Sequence, residues 1–137
     1  MRSRTRLALA SLALLLIGTL LAGCGSSTLK IGWREFGGLS RKRATYVTFD
    51  GVQNKSFRVS AGKAIELTCD VTVEKGALAV ALIAPSGERL WEETFREDGE
   101  RFTTVTASEG GRYILRVEGQ ETGGGFDIAW DVKDQPS

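Results

Sequence analysis

The 137-residue chain contains no histidine. That one absence removes the usual general base, the commonest zinc ligand and the side chain that changes charge near neutral pH. Ser-His-Asp and Cys-His nucleophiles are excluded with it. Cysteine is almost as scarce, with only Cys24 and Cys69 present. If either is consumed by other chemistry, no intramolecular disulfide can form, and stability has to come from a packed core. Charge is absent over the 15 residues Leu7 to Leu21, and no acidic residue precedes Glu35.

Those last two absences define the first segment. Arg2, Arg4 and Arg6 make a positive start to the apolar run. As a helix the run would extend about 23 Å at roughly 1.5 Å per residue. It is short for a permanent span and suits the core of an export signal. The arginines alternate with Ser3 and Thr5, so no Arg-Arg pair suggests the twin-arginine route. The run closes in Leu21-Ala22-Gly23-Cys24, which resembles the lipobox of bacterial lipoproteins. The resemblance covers residues 1 to 24. It implies diacylglycerol attached to the Cys24 thiol, signal peptidase cleavage between Gly23 and Cys24, and acylation of the new amino terminus. Two acyl chains hold a protein on a membrane far more firmly than one. Gly25, not aspartate, follows the cysteine. The expected location is therefore extracytoplasmic: the outer membrane of a two-membrane cell, or the outer face of a single membrane.

The expected organisation is a signal peptide over 1–23, a lipid anchor and Gly/Ser tether over 24–28, and one domain over 29–137. Of 18 basic residues, three lie in the signal, so 15 remain against 17 acidic ones and the mature net charge is −2. No nucleic-acid partner is expected, and no cofactor.

From Leu29 the dominant period is two. Residues Ile65 to Val73 are the clearest case, with Ile65, Leu67, Cys69, Val71 and Val73 on one face and Glu66, Thr68, Asp70 and Thr72 on the other. Leu29, Ile31 and Trp33 share a phase, as do Phe126, Ile128, Trp130 and Val132. Pro85-Ser86-Gly87-Glu88 has turn chemistry, and Asp98-Gly99 signals a hairpin. The pattern predicts an all-β domain: a single jelly-roll-like β-sandwich of about nine short strands. The layout of Phe57 to Val59, Pro85 to Gly87 and Gly111 to Val117 resembles small bacterial β-sandwich domains of the pre-peptidase C-terminal type. That resemblance implies a non-catalytic module.

Catalytic patterns fail on inspection. Ser60-Ala61-Gly62-Lys63 matches S-x-x-K, yet it fills a glycine turn between strands and has no S-D-N or K-T-G companion. Glu92 and Glu93 point to opposite faces of their strand. Asp127 and Asp131 share a face but lie about 13 Å apart at roughly 3.3 Å per residue, beyond the roughly 5 to 9.5 Å of glycosidase pairs. Pairs assembled across strands stay open, and with them the alternative of a small envelope hydrolase or transferase. Glu97, Asp98 and Glu100 offer calcium-type oxygens without a ligand template. Cys69 falls on a core face. Among the tryptophans, Trp33 and Trp130 are in phase with core residues. Trp91, flanked by Arg89 and Glu92 and out of phase with Leu90, is the candidate exposed aromatic.

Charge is divided along the chain. From Cys24 to Lys63 the net charge is +6, and from Ala64 to Ser137 it is −8. Arg41, Lys42 and Arg43 stand in a Gly/Ser-containing stretch that no alternation claims, which predicts a basic loop. Two readings stay open: the loop faces anionic lipid or wall polymer near the short tether, or the early and late strands neutralise one another within the sandwich. The expected function is a membrane-anchored lipoprotein with a binding or scaffolding domain. Candidate surface contacts are Arg41, Lys42, Arg43 and Trp91, and candidate ligands are a glycan, an anionic lipid or wall polymer, or another envelope protein.

Overall fold

A computed structural model describes residues 28–135. The signal segment, Gly23 and the proposed lipid attachment at Cys24 lie outside the described residues.

The described residues form seven antiparallel strands: β1 (Leu29–Ile31), β2 (Arg34–Gly38), β3 (Arg41–Val59), β4 (Ala64–Ile83), β5 (Arg89–Phe95), β6 (Gly99–Thr106) and β7 (Gly111–Lys133). Three of them are very long, at 19, 20 and 23 residues for β3, β4 and β7. They lie side by side in the order β3-β7-β4. The expected count of nine short strands is corrected to seven. Segments that read as separate strands are the two halves of β3, β4 and β7, continuous through a corner.

The corner makes the sandwich. Register shifts fall between Tyr46 and Gly51 in β3 and between Val73 and Ala77 in β4. Gly76 and Gly124 both have positive φ there, at 68° and 128°. A Cβ on Gly124 would overlap the Thr72 carbonyl oxygen, and one on Gly76 the Gln120 carbonyl oxygen. Glycine is what allows the backbones of β4 and β7 to approach this closely while both turn. Beyond the corner the three strands fold back over themselves. The front layer holds β2, β3 up to Tyr46, β7 from Gly124, β4 up to Val73, and β6. The back layer holds the remaining halves of β3, β7 and β4, with β5 at its edge. β1 pairs with Thr48 to Asp50 at the corner itself.

The core lies between the layers. Ile65, Leu67, Cys69 and Val71 of the front β4 half are buried, as are Leu78, Val80 and Leu82 of the back half. Phe57 of the back layer stacks on Trp130 of the front at 5.2 Å between ring centroids. Such offset aromatic contacts add to the area that each ring buries. Around the corner, Trp33, Tyr46, Phe49 and Phe126 form a second aromatic group, with Trp33 stacked on Tyr46 at 5.5 Å. Tyr46 is deeply set, and burial pushes its phenol up to about 12.

Two turns behave differently from one another. Pro85 to Glu88 closes β4 onto β5, with the Ala84 amide donating to the Glu88 carbonyl at 2.8 Å. Asp98-Gly99 does not make a hairpin. β5 and β6 both pair with β4, on opposite sides of its corner, so the segment between them arches from one layer to the other. Asp98 spends its carboxylate on the Val73 amide at 2.8 Å, which satisfies a donor exposed by the bend in β4.

Cys69 is buried and free, and burial, with Glu93 adding repulsion, pushes its thiol up to about 12. A thiol that is neither exposed nor ionised is a poor nucleophile. The folded protein is expected to leave Cys69 unmodified by an aromatic disulfide reagent at pH 8, and to react only when denatured. Rapid reaction of the native protein would show that the β4 face opens.

Candidate functional site: the outer face of the front layer

The outer face of the front layer carries residues that register brings together from five strands. Across one row stand Phe36 of β2, Arg43 of β3, Asp127 of β7, Asp70 of β4 and Glu100 of β6, each opposite the next. The row on one side holds Arg41, Ala129, Thr68 and Phe102. The row on the other holds Arg34, Thr45, Gly125 and Thr72. Side chains directly opposite in such a ladder lie about 4.5–5.5 Å apart at Cβ.

Gly125 shapes this surface. Thr45 and Thr72 rise on either side of a residue with no side chain, and the face sinks into a depression of about 390 Å³. Arg43, Thr45, Asp70, Thr72, Glu74 and Asp127 line it. The two edge strands each hold an exposed ring, Phe36 on β2 and Phe102 on β6. Four strand spacings separate those strands, about 19 Å at roughly 4.8 Å each. The surface is thus a polar trough with an aromatic at either margin, on a floor of continuously hydrogen-bonded strands.

Its electrostatics are partly committed. Arg41 grips Asp127 with two nitrogens, its Nε at 2.7 Å from Oδ1. The hydrogen bond from that guanidinium holds the Asp127 carboxyl below the ordinary carboxylate range. A general acid needs the opposite displacement. Asp70 and Arg43 make no ion pair among the described residues, although the Arg43 charge adds to the lowering of Asp127. Among the described residues no group of three or more His, Cys, Asp or Glu side chains is arranged to hold a metal ion.

The sequence candidates fall in several places. Arg41, Lys42 and Arg43 are not a loop but the first residues of β3, paired on one side to Gly38, Gly37 and Phe36 and on the other to β7. Alternation was hidden because the inward residue between the two arginines is a lysine. Lys42 is 7% exposed and pairs with Glu35. That bond holds the Glu35 carboxyl below its usual range. Arg41 pairs with Asp127 and Lys63 with Asp134, so early bases do meet late acids. Arg43 alone of the three faces the trough.

Trp91 is also corrected. The β4–β5 pairing slips between Leu82↔Trp91 and Ile83↔Arg89, leaving Leu90 as the extra residue. The slip reverses the phase, and Trp91 packs half-buried against the core beside Leu82. The exposed aromatics are instead Phe36 and Phe102. A signal for Phe102 was present, since Val105 and Ala107 set the inward parity of β6 and residue 102 has the other. Asp70 and Asp127 carried no such signal as a pair, because their juxtaposition depends on the register of two strands 57 residues apart in sequence.

The fold and site together define a β-sandwich with a concave, solvent-facing sheet. No protein-family model and no curated protein sequence matches the chain. Among solved structures it is similar to a CBM4 domain, with 12% identity, a TM-score of 0.54 and 82% of each chain covered. It is also similar to a CBM61 module in complex with β-1,4-galactotriose (15% identity, TM-score 0.48, 75% of this chain and 88% of that one). A third similarity is to the pre-peptidase C-terminal domain of a collagenase from Bacillus anthracis (16% identity, TM-score 0.48, 70% and 91%). The likeness to the CBM4 domain, at 12% identity and a TM-score of 0.54, establishes the sandwich fold alone.

Proposed function

We propose that the protein is an extracytoplasmic lipoprotein, anchored through Cys24, whose β-sandwich is a non-catalytic module that binds a glycan in the front-layer trough. The observation that carries the binding reading is the trough itself. Its floor is a continuously paired sheet, its polar groups (Arg43, Thr45, Asp70, Thr72) suit the hydroxyls of a sugar chain, and exposed rings at both margins suit sugar faces. A polar floor with a few flat apolar groups is the chemistry of an orienting binding surface. The fold shared with a CBM4 domain supports the same assignment. The carboxylates assembled across strands, Asp127, Asp70 and Glu100, are the alternative's best site. The firm grip of Arg41 on Asp127 and the low carboxyl pKa argue for binding over acid catalysis.

The test is affinity electrophoresis of the protein against a panel of neutral and acidic polysaccharides, followed by titration calorimetry with the best oligosaccharide. Phe102→Ala and Phe36→Ala are each expected to weaken retention by about tenfold, equivalent to about 1.4 kcal/mol, with the melting temperature little changed because both rings are exposed. Retention unchanged in the double variant would move the ligand site off this face. For the anchor, Cys24→Ser is expected to abolish incorporation of labelled palmitate and release the protein from membranes. Equal labelling of the variant would end the lipoprotein reading.

A further inference from the structure

Exposed apolar side chains are concentrated at one edge of the sandwich. Among the described residues seven large apolar side chains stand out into solvent, and five of them lie between positions 29 and 47. Leu29 and Ile31 of β1 are each 48% exposed, Phe36 of β2 59%, Leu39 at the tip of the β2–β3 turn 96%, and Val47 63%. β1 and β2 both pair with β3 along its outer side, away from β7, so all five line the β3 edge. The other two are Phe102 on β6 and Val132 near the end of β7.

The sequence phase put Leu29 and Ile31 inside with Trp33. Gly32 breaks that phase with φ +66°, so Trp33 turns in while Leu29 and Ile31 turn out. Lys30 lies over the Trp33 ring at 4.3 Å, a cation–π contact at the margin of the apolar strip. Lys30 of β1 and Arg34 of β2 stand along the same edge, in a half of the chain whose net charge is positive. Apolar side chains projecting among lysine and arginine are the composition that settles at a bilayer interface, where the apolar groups enter the headgroup boundary and the cations meet anionic lipid. A soluble protein gains nothing in water from a hairpin tip that is an uncovered leucine.

The position of this edge in the chain names its occupant. β1 starts five residues after Cys24, a reach of at most about 18 Å at roughly 3.6 Å per residue. Resting on the anchored reading above, we infer that the β1–β2 edge docks on the surface of the bilayer that holds the lipid, with Leu29, Ile31 and Leu39 inserted at the headgroup level. Lipid at Cys24 keeps that surface within reach, and the apolar strip turns a tethered domain into an oriented one. Docked by this edge, the sandwich stands with β6 and Phe102 farthest from the membrane, and the trough runs away from the bilayer.

The test uses single-cysteine labelling of the full chain in native membranes, which the inert Cys69 makes clean. Ile31→Cys, Leu39→Cys and Phe102→Cys are each labelled with a polarity-sensitive dye, and palmitate on Cys24 is measured in the same samples. Blue-shifted emission at positions 31 and 39, quenched by a membrane-embedded quencher, with an aqueous spectrum at 102, is the expected result. Aqueous spectra at all three positions on a palmitoylated protein would overturn the docking and leave the anchor standing. If palmitate is absent, the anchor reading fails on its own. The three labelled proteins are then mixed with phosphatidylglycerol vesicles, where a shift confined to 31 and 39 supports the edge as a lipid surface and no shift overturns it.

Discussion

Gly124→Val is expected to leave little or no folded protein. Gly124 has φ +128°, and any Cβ on it would overlap the Thr72 carbonyl of the neighbouring strand. Neither backbone can yield, because this point is where β4 and β7 turn together from one layer to the other. Losses above about 4 kcal/mol are the mark of such a conflict, against a total stability of about 5–15 kcal/mol for a domain. Gly62→Ala is the matched control. Gly62 also has positive φ, at 86°, but nothing lies within 4 Å of its would-be Cβ, so only the backbone preference is lost, roughly 1–2 kcal/mol. Urea denaturation of both variants checks the contrast. Similar midpoints for the two would show that the corner does not depend on close approach at Gly124.

Glu35→Gln and Lys42→Met are expected to move stability in different ways. Lys42 points inward at the margin of the core, and its ammonium is held by Glu35, which also accepts from the Trp33 indole at 3.3 Å. Removing the carboxylate leaves a nearly buried cation without its partner. A fully buried broken pair costs about 3–5 kcal/mol, and because Glu35 is itself partly solvated the expected loss is about 1–3 kcal/mol. Lys42→Met removes the charge and keeps the stem, so the expected change is small or favourable. The pH dependence has a definite sign. Hydrogen bonds from Lys42 and Arg41 lower the folded-state pKa of Glu35 and Asp127. Each carboxylate therefore contributes stability that is present above its unfolded pKa, about 4, and is lost as pH falls through the folded value. Melting temperature is expected to fall below pH 4, and Glu35→Gln should flatten that decline. An acid limb identical in the variant would remove Glu35 from the account.

How much of this was legible beforehand depends on which interactions set each feature. Ile65 to Val73 read as one strand with a wet face because its inward residues are all apolar. Arg41 to Thr45 did not, because the inward position is Lys42 and its compensation comes from Glu35 on the neighbouring strand. Trp91 was misplaced because one extra residue at Leu90 inverts everything after it, and no local pattern announces where a ladder slips. The trough was invisible for a related reason. Arg43, Asp70, Asp127 and Glu100 are ordinary outward residues until register sets them in a row.

The sequence by itself determined that the domain is built of strands, that these strands carry an apolar face, and that chemistry dependent on histidine is absent. Each of these follows from composition or from a period of two, which side-chain hydrophobicity imposes over a few neighbouring residues. Only the tertiary structure decided that three strands run through a glycine corner into both layers, that β5 and β6 part company after Asp98, and that the apolar residues of β1 face out while Trp33 faces in. Those outcomes depend on contacts between backbones far apart in sequence, such as Gly124 against Thr72, where close packing permits one arrangement and local preference permits many.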